Sequence, residues 1–138
     1  MSTVTTTTTE QNVQIVQQIY EAFGRGDVPT VLANLDANAT WVNPYGEGRF
    51  PGQWGKPCRG HAEITQFFVD INEAVEVRGF DPYELIAQGD KVVALINWNG
   101  VVRKTGHPYR TLLVHVWTLQ NGKVIDYIGL DDPSVYPY

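Results

Sequence analysis

The sequence predicts an α+β domain, with helices in its first half and long, mostly antiparallel strands in its second. Three observations carry this expectation. Apolar residues recur at helical spacing over residues 10–35 and again after Gly60. Four strand-like runs, approximately 75–87, 91–104, 109–120 and 123–131, fill most of the remainder. The turns between those runs, Gly89-Asp90, Thr105-Gly106-His107-Pro108 and Asn121-Gly122, are too short for parallel crossovers.

Residues 1–9 end in five threonines and read as a flexible tail, the last threonine a helix cap; residues 10–138 read as one domain. Val13, Val16, Ile19, Tyr20 and Phe23 lie on one face of a first helix that Gly24-Arg25-Gly26 ends. Asp27 supplies an N-cap oxygen for a second, shorter helix. Pro29 is tolerated in its first turn, and Val28, Val31, Leu32 and Leu35 form its apolar face. Ala39–Asn43 reads as a short strand that Pro44 ends. Residues 44–60 hold five Gly and three Pro and read as a long loop, of a length that is often functional. Its Tyr45, Phe50 and Trp54 are too apolar for a purely solvated loop, which predicts that at least one covers a cavity mouth. A third helix follows Gly60 and buries Ile64, Phe67, Phe68 and Ile71. Asn121-Gly122 is the strongest hairpin signal in the chain, because both residues accept positive φ.

Composition limits the function. Fifteen acidic against ten basic residues give a net charge of −5, which argues against nucleic-acid binding. No apolar stretch reaches membrane-spanning length, and no signal peptide is legible, so the expected location is cytoplasmic. Cys58 is the single cysteine, and the three histidines lack ligand spacing, so neither metal nor cofactor is expected. Sixteen aromatic residues remain for a core or for an apolar cavity.

Several strings in order, Tyr20-Glu-Ala-Phe-Gly-Arg-Gly-Asp27, Ala39-Thr-Trp-Val-Asn-Pro44, Gly60-His-Ala-Glu-Ile64, Val114-His-Val-Trp117 and Asn121-Gly-Lys-Val124, resemble the NTF2-like superfamily, in its SnoaL-like and ketosteroid-isomerase-like branch. The resemblance covers residues 10–132. It implies a cone-shaped fold of three helices packed on a curved, mostly antiparallel sheet, with an apolar pocket in the cone and a homodimer through the sheet. It also implies a small hydrophobic molecule as partner, and a set of activities that includes isomerases, cyclases, dehydratases, epoxide hydrolases and non-catalytic binding proteins. The isomerase base aspartate matches Asn43, an amide that cannot act as a base. The isomerase oxyanion tyrosine matches Ile19, one residue before Tyr20, and its protonated aspartic acid matches His115. The acid/base aspartate of the cyclases matches Gly129, with Asp131 two residues beyond.

Strand alternation places Thr111, Leu113, His115, Trp117 and Leu119 on one face, and Leu112, Val114 and Val116 on the other. Both faces are apolar, which predicts helices and cavity on one side and a second subunit on the other. His115 is the only titratable side chain of that run. It reads either as a satisfied core histidine or as an acid, base or donor at a pocket. Trp41 and Asn43 share one strand face, Ile96 and Trp98 another, and Tyr127, Gly129 and Asp131 a third. The candidate catalytic set is therefore His115, Asp131 and Asn43, with Tyr20, Trp41, Trp98 and Tyr127 as substrate-binding walls. The chemistry expected is cofactor-free proton transfer on a compact apolar carbonyl or hydroxyl compound, as an isomerase, cyclase or dehydratase. The alternative is a non-catalytic ligand-binding or accessory protein.

Overall fold

The computed structural model describes residues 8–44, 50 and 52–136. Its elements are α1 (Thr8–Arg25), α2 (Val28–Ala33), β1 (Leu35–Val42), β2 (Cys58–Arg59), α3 (Gly60–Ala74), β3 (Val75–Gln88), β4 (Lys91–Val102), β5 (Pro108–Gln120) and β6 (Lys123–Leu130). Single 3-10 turns occupy Gly52–Gly55 and Pro133–Val135. The architecture is α+β: one curved, open, mixed sheet of six strands in the order β2-β1-β6-β5-β4-β3, with the helices on its inner side.

The helices are built as their sequences require. In α1, Val16, Ile19, Tyr20 and Ala22 are buried, the face drawn by the apolar spacing. The helix begins at Thr8, inside the stretch expected to be tail; Thr9 Oγ1 donates to the Gly89 carbonyl 3.2 Å away and ties this end to the β3–β4 turn. Residues 1–7 lie outside the described residues. Asp27 caps α2 as expected, its carboxylate accepting from the Thr30 N–H at 3.1 Å. In α3, the Glu63 carboxylate accepts from the Arg59 N–H at 2.8 Å, and Ile64 and Phe67 enter the core. A fully buried side chain such as Ile64 is worth about 1.5–3 kcal/mol relative to exposure.

Leu35 departs from the sequence expectation. It opens β1 rather than closing α2, pairing in parallel with Val124, and the register shifts between Leu35 and Thr40. The backbone explains it: α2 stops at Ala33 with Asn34 as its cap, and the Asn34 carbonyl accepts from the Val124 N–H at 2.9 Å. The chain is thereby captured by β6 before another helical turn can form. The long loop also holds structure that was not foreseen, because Cys58 pairs with Trp41 in the short strand β2.

The strands β3 to β6 form the antiparallel meander that the turns predict. Asn121 and Gly122 have φ values of 52° and 77°, the double positive φ that a two-residue hairpin turn demands. Alternation divides the sheet cleanly. Val92, Ala94, Ile96 and Trp98 of β4, and Leu113, His115 and Trp117 of β5, are buried on the concave side. Leu112, Ile86 and Leu130 are exposed on the convex side, with the half-buried Val93, Leu95, Val114, Val116 and Ile128 among them. Among the described residues no helix is long and apolar enough to cross a membrane.

Candidate functional site

The concave face of the sheet and the three helices enclose a cavity of about 790 Å³. Phe67, Phe68, Val31, Val75 and Leu113 make much of its wall. Tyr20, Trp41, Asn43, Trp98, His115 and Tyr127, six of the seven residues singled out in the sequence, also line it. The seventh, Asp131, is not among the lining residues; it accepts a hydrogen bond from the Tyr136 hydroxyl where the C-terminal segment folds back. Trp54 reaches the cavity from the long loop, stacked on Phe50 with ring centroids 4.2 Å apart. Tyr45 lies outside the described residues.

Strand register sets the geometry of the polar groups. His115 pairs with Gly129, and Val42 pairs with Ile128, which leaves Asn43 level with Gly129. His115, Gly129 and Asn43 thus form one row across β5, β6 and β1. At the usual strand spacing of about 4.8 Å, the Cα atoms of His115 and Asn43 are about 10 Å apart, with a glycine between them. A Cβ at Gly129 would fall 2.4 Å from Asn43 Oδ1 and 2.4 Å from the Tyr127 hydroxyl oxygen. The notch is therefore occupied from its sides, by an amide oxygen and a phenol. The next row is aromatic, Trp117, Tyr127 and Trp41, with Trp41 stacked on Tyr127 at 3.8 Å.

His115 sits in a directed hydrogen-bond chain. Trp117 Nε1–H donates to the Tyr20 hydroxyl oxygen at 2.9 Å, and that oxygen lies 2.8 Å from His115 Nδ1. An indole nitrogen only donates, so Tyr20 accepts there and has one proton to give. Its acceptor is His115 Nδ1. A buried hydroxyl left without that partner would cost about 1–3 kcal/mol. With Tyr20 donating, Nδ1 accepts and the proton of the neutral ring sits on Nε2.

Burial works in the same direction. Desolvation lowers the His115 pKa from 6.5 to about 3, so the ring is neutral at physiological pH. Burial also pushes the Tyr20 and Tyr127 phenols well above their ordinary values. All three groups are held in their uncharged forms. The only carboxylates among the described lining residues are Asp27 and Glu73, on helix ends, and Asp27 is engaged by Thr30 and Arg25. No Lys or Arg lines the cavity among the described residues. Nor, among them, does any cluster of three His, Cys, Asp or Glu offer a metal site.

Two features escaped the sequence reading. Tyr20 was expected as an apolar wall, yet its hydroxyl is the hub of the chain, while Ile19, the position matched to the isomerase tyrosine, is fully buried in the core. Trp117 lies on the strand face that alternation predicts, and its indole N–H adds a polar role there. The available signal was the pairing of a tyrosine at i+4 from Val16 on one helix face with a His-x-Trp on one strand face. His61, by contrast, takes the structural part: its Nε2 lies 3.1 Å from the Leu35 carbonyl oxygen.

The sequence matches the SnoaL-like domain over residues 16–127. The chain belongs to the SnoaL-like family. Solved structures agree with that placement. An NTF2-like protein from Burkholderia xenovorans is 30% identical, with 94% of this chain and 95% of that chain covered and a TM-score of 0.82. An NTF2-like protein of unknown function from Burkholderia pseudomallei is 29% identical, with coverages of 93% and 98% and a TM-score of 0.82. TerC, co-crystallised with polyporic acid, is 27% identical, with coverages of 90% and 93% and a TM-score of 0.79. The comparison with curated proteins returns no match. Within the SnoaL-like family this chain carries Asn43, His115 and Gly129 where the sequence resemblance places carboxylates in isomerases and cyclases.

Proposed function

We propose that this protein binds a compact, largely apolar small molecule in the cone and holds an oxygen of that molecule with His115. The observation that carries this is the chain Trp117 to Tyr20 to His115, which leaves an Nε2–H donor in an apolar cavity. A donor of this kind suits a carbonyl or hydroxyl oxygen. Neutral imidazole polarises a carbonyl without transferring a proton. Any chemistry that follows binding is then of the cofactor-free kind, isomerisation, cyclisation or dehydration, driven by stabilising charge on that oxygen. Proton abstraction by a His115–Asp131 pair is disfavoured, because Tyr20 occupies Nδ1 and Asp131 is taken by Tyr136. Two copies pair in this reading through the convex sheet face around Leu112, Val114 and Leu130.

Calorimetry with a panel of neutral aryl ketones tests the proposal. Saturable binding is expected for the native protein and for His115→Gln, which retains an N–H donor. Affinity is expected to fall about 3–10-fold in His115→Leu, the worth of one net hydrogen bond. The absence of saturable binding across the panel, or equal affinity in a folded His115→Leu, would sink it.

A further inference from the structure

The row His115, Gly129, Asn43 carries a second donor. Asn43 is 7% exposed and lines the cavity, and its Oδ1 accepts from the Tyr127 hydroxyl at a long 3.5 Å. In the structure the amide oxygen is set toward the Tyr127 hydroxyl, which donates to it, and Nδ2 is the other arm of the amide. Asn43 Nδ2 is therefore turned away from Tyr127. Neither it nor His115 Nε2 has a hydrogen-bond partner among the described residues, although both side chains are more than nine-tenths buried. Both side chains line the cavity. Two donors without a partner among the described residues thus belong to side chains that line one cavity on either side of a glycine.

The charge pattern narrows what they receive. An anion entering this apolar space would lose its hydration without meeting a cationic side chain, since no Lys or Arg lines the cavity among the described residues. A cation would meet the two donors at the row, where the Asn43 oxygen is turned to Tyr127, and the lining carboxylates Asp27 and Glu73 stand on helix ends. We infer that the cavity takes an uncharged molecule with two carbonyl oxygens, one held by His115 Nε2–H and the other by the Asn43 side-chain amide. The inference rests on the binding role proposed above and adds the ligand class. The ligand's ring then spans the row from His115 to Asn43, along the cavity wall that holds the Trp41–Tyr127 stack.

Calorimetry with four bicyclic probes separates the possibilities: 2,3-dimethyl-1,4-naphthoquinone, 1-tetralone, naphthalene and 2-naphthoate. The quinone is expected to bind about 3–10-fold more tightly than the single ketone, and the ketone more tightly than the hydrocarbon by a similar factor. The naphthoate is expected to bind at least about 10-fold more weakly than the ketone. Asn43→Ala is expected to bring the quinone down to the ketone's affinity. Infrared spectra of the quinone bound to the native protein need no variant, and both carbonyl bands are expected to shift to lower frequency. Equal affinity for quinone and ketone, one unshifted band, or tighter binding of the naphthoate overturns the two-donor inference while leaving the binding role intact. Failure of all four probes to bind overturns both.

Discussion

Removing the titration of His115 is expected to flatten the acid side of the stability profile. The folded ring has a pKa of about 3 against 6.5 when unfolded, so between those values the unfolded chain binds a proton that the folded chain refuses. Stability contributed by the neutral ring is then full above about pH 6.5 and is lost as pH falls toward 3. At pH 5 the unfolded imidazole is protonated about thirtyfold over its neutral form, which corresponds to about 2 kcal/mol lost relative to pH 8. For a chain of 138 residues that is about 7 °C in Tm. His115→Gln supplies an amide oxygen for the Tyr20 hydroxyl and does not titrate. Its absolute stability is expected to be lower than that of the native protein, but the difference between them should narrow by about 2 kcal/mol from pH 8 to pH 5. Urea unfolding at fixed protein concentration measures this, and the comparison cancels the carboxylates that both chains share. Parallel pH profiles for the two proteins, or an NMR midpoint for His115 near 6.5, would refute the buried neutral ring.

Three further outcomes follow from the same geometry. Tyr20→Phe deprives Trp117 of its acceptor and His115 of its donor, so it is expected to cost about 2–4 kcal/mol by urea unfolding; a cost under about 0.5 kcal/mol would mean the chain is not formed. Gly129→Ala drives a methyl into Asn43 Oδ1 and the Tyr127 hydroxyl, with an expected loss of about 1–3 kcal/mol in the same assay. Tyr127→Phe in that background should recover part of the loss, and strict additivity of the two changes would show that the crowding has another source. Leu112→Glu, on the convex face, is expected to turn a dimer into a monomer in sedimentation velocity; a native protein that is already monomeric at micromolar concentration would refute that assembly.

Much of the fold was legible because burial follows period. The helix faces of α1 and α3 and the alternation along β4 and β5 are set by local apolar spacing, and the turns by residues that accept positive φ. Leu35 was misplaced for a physical reason: at the end of a short helix its spacing fits both α2 and β1, and only the distant β6 decides between them. The cavity-lining set was readable for the same reason as the strands, since Trp41, Asn43, Trp98, His115 and Tyr127 all sit on period-two faces. The roles were less so. That Tyr20 bonds His115 depends on a contact between residues 95 apart in sequence, which no local pattern encodes. Asp131 illustrates the converse. It sits two residues after Gly129, in the right alternation for the cavity, but β6 ends at Leu130 and the carboxylate turns to Tyr136.

The two departures from the carboxylate pattern, Asn43 and Gly129, belong to one arrangement. An aspartate at position 129 would need the space that the Tyr127 hydroxyl and Asn43 Oδ1 now fill, so the glycine is required by its neighbours. An aspartate at 43 would lose the Nδ2 donor and bring a carboxylate into a wall that already holds two phenols and an imidazole in their uncharged forms. Burial there penalises any ion, and without a cationic side chain nearby such a carboxylate would protonate or destabilise the fold. The glycine, the amide and the neutral histidine are therefore mutually consistent. The row presents groups that give hydrogen bonds, and the ligand proposed for it brings the acceptors itself.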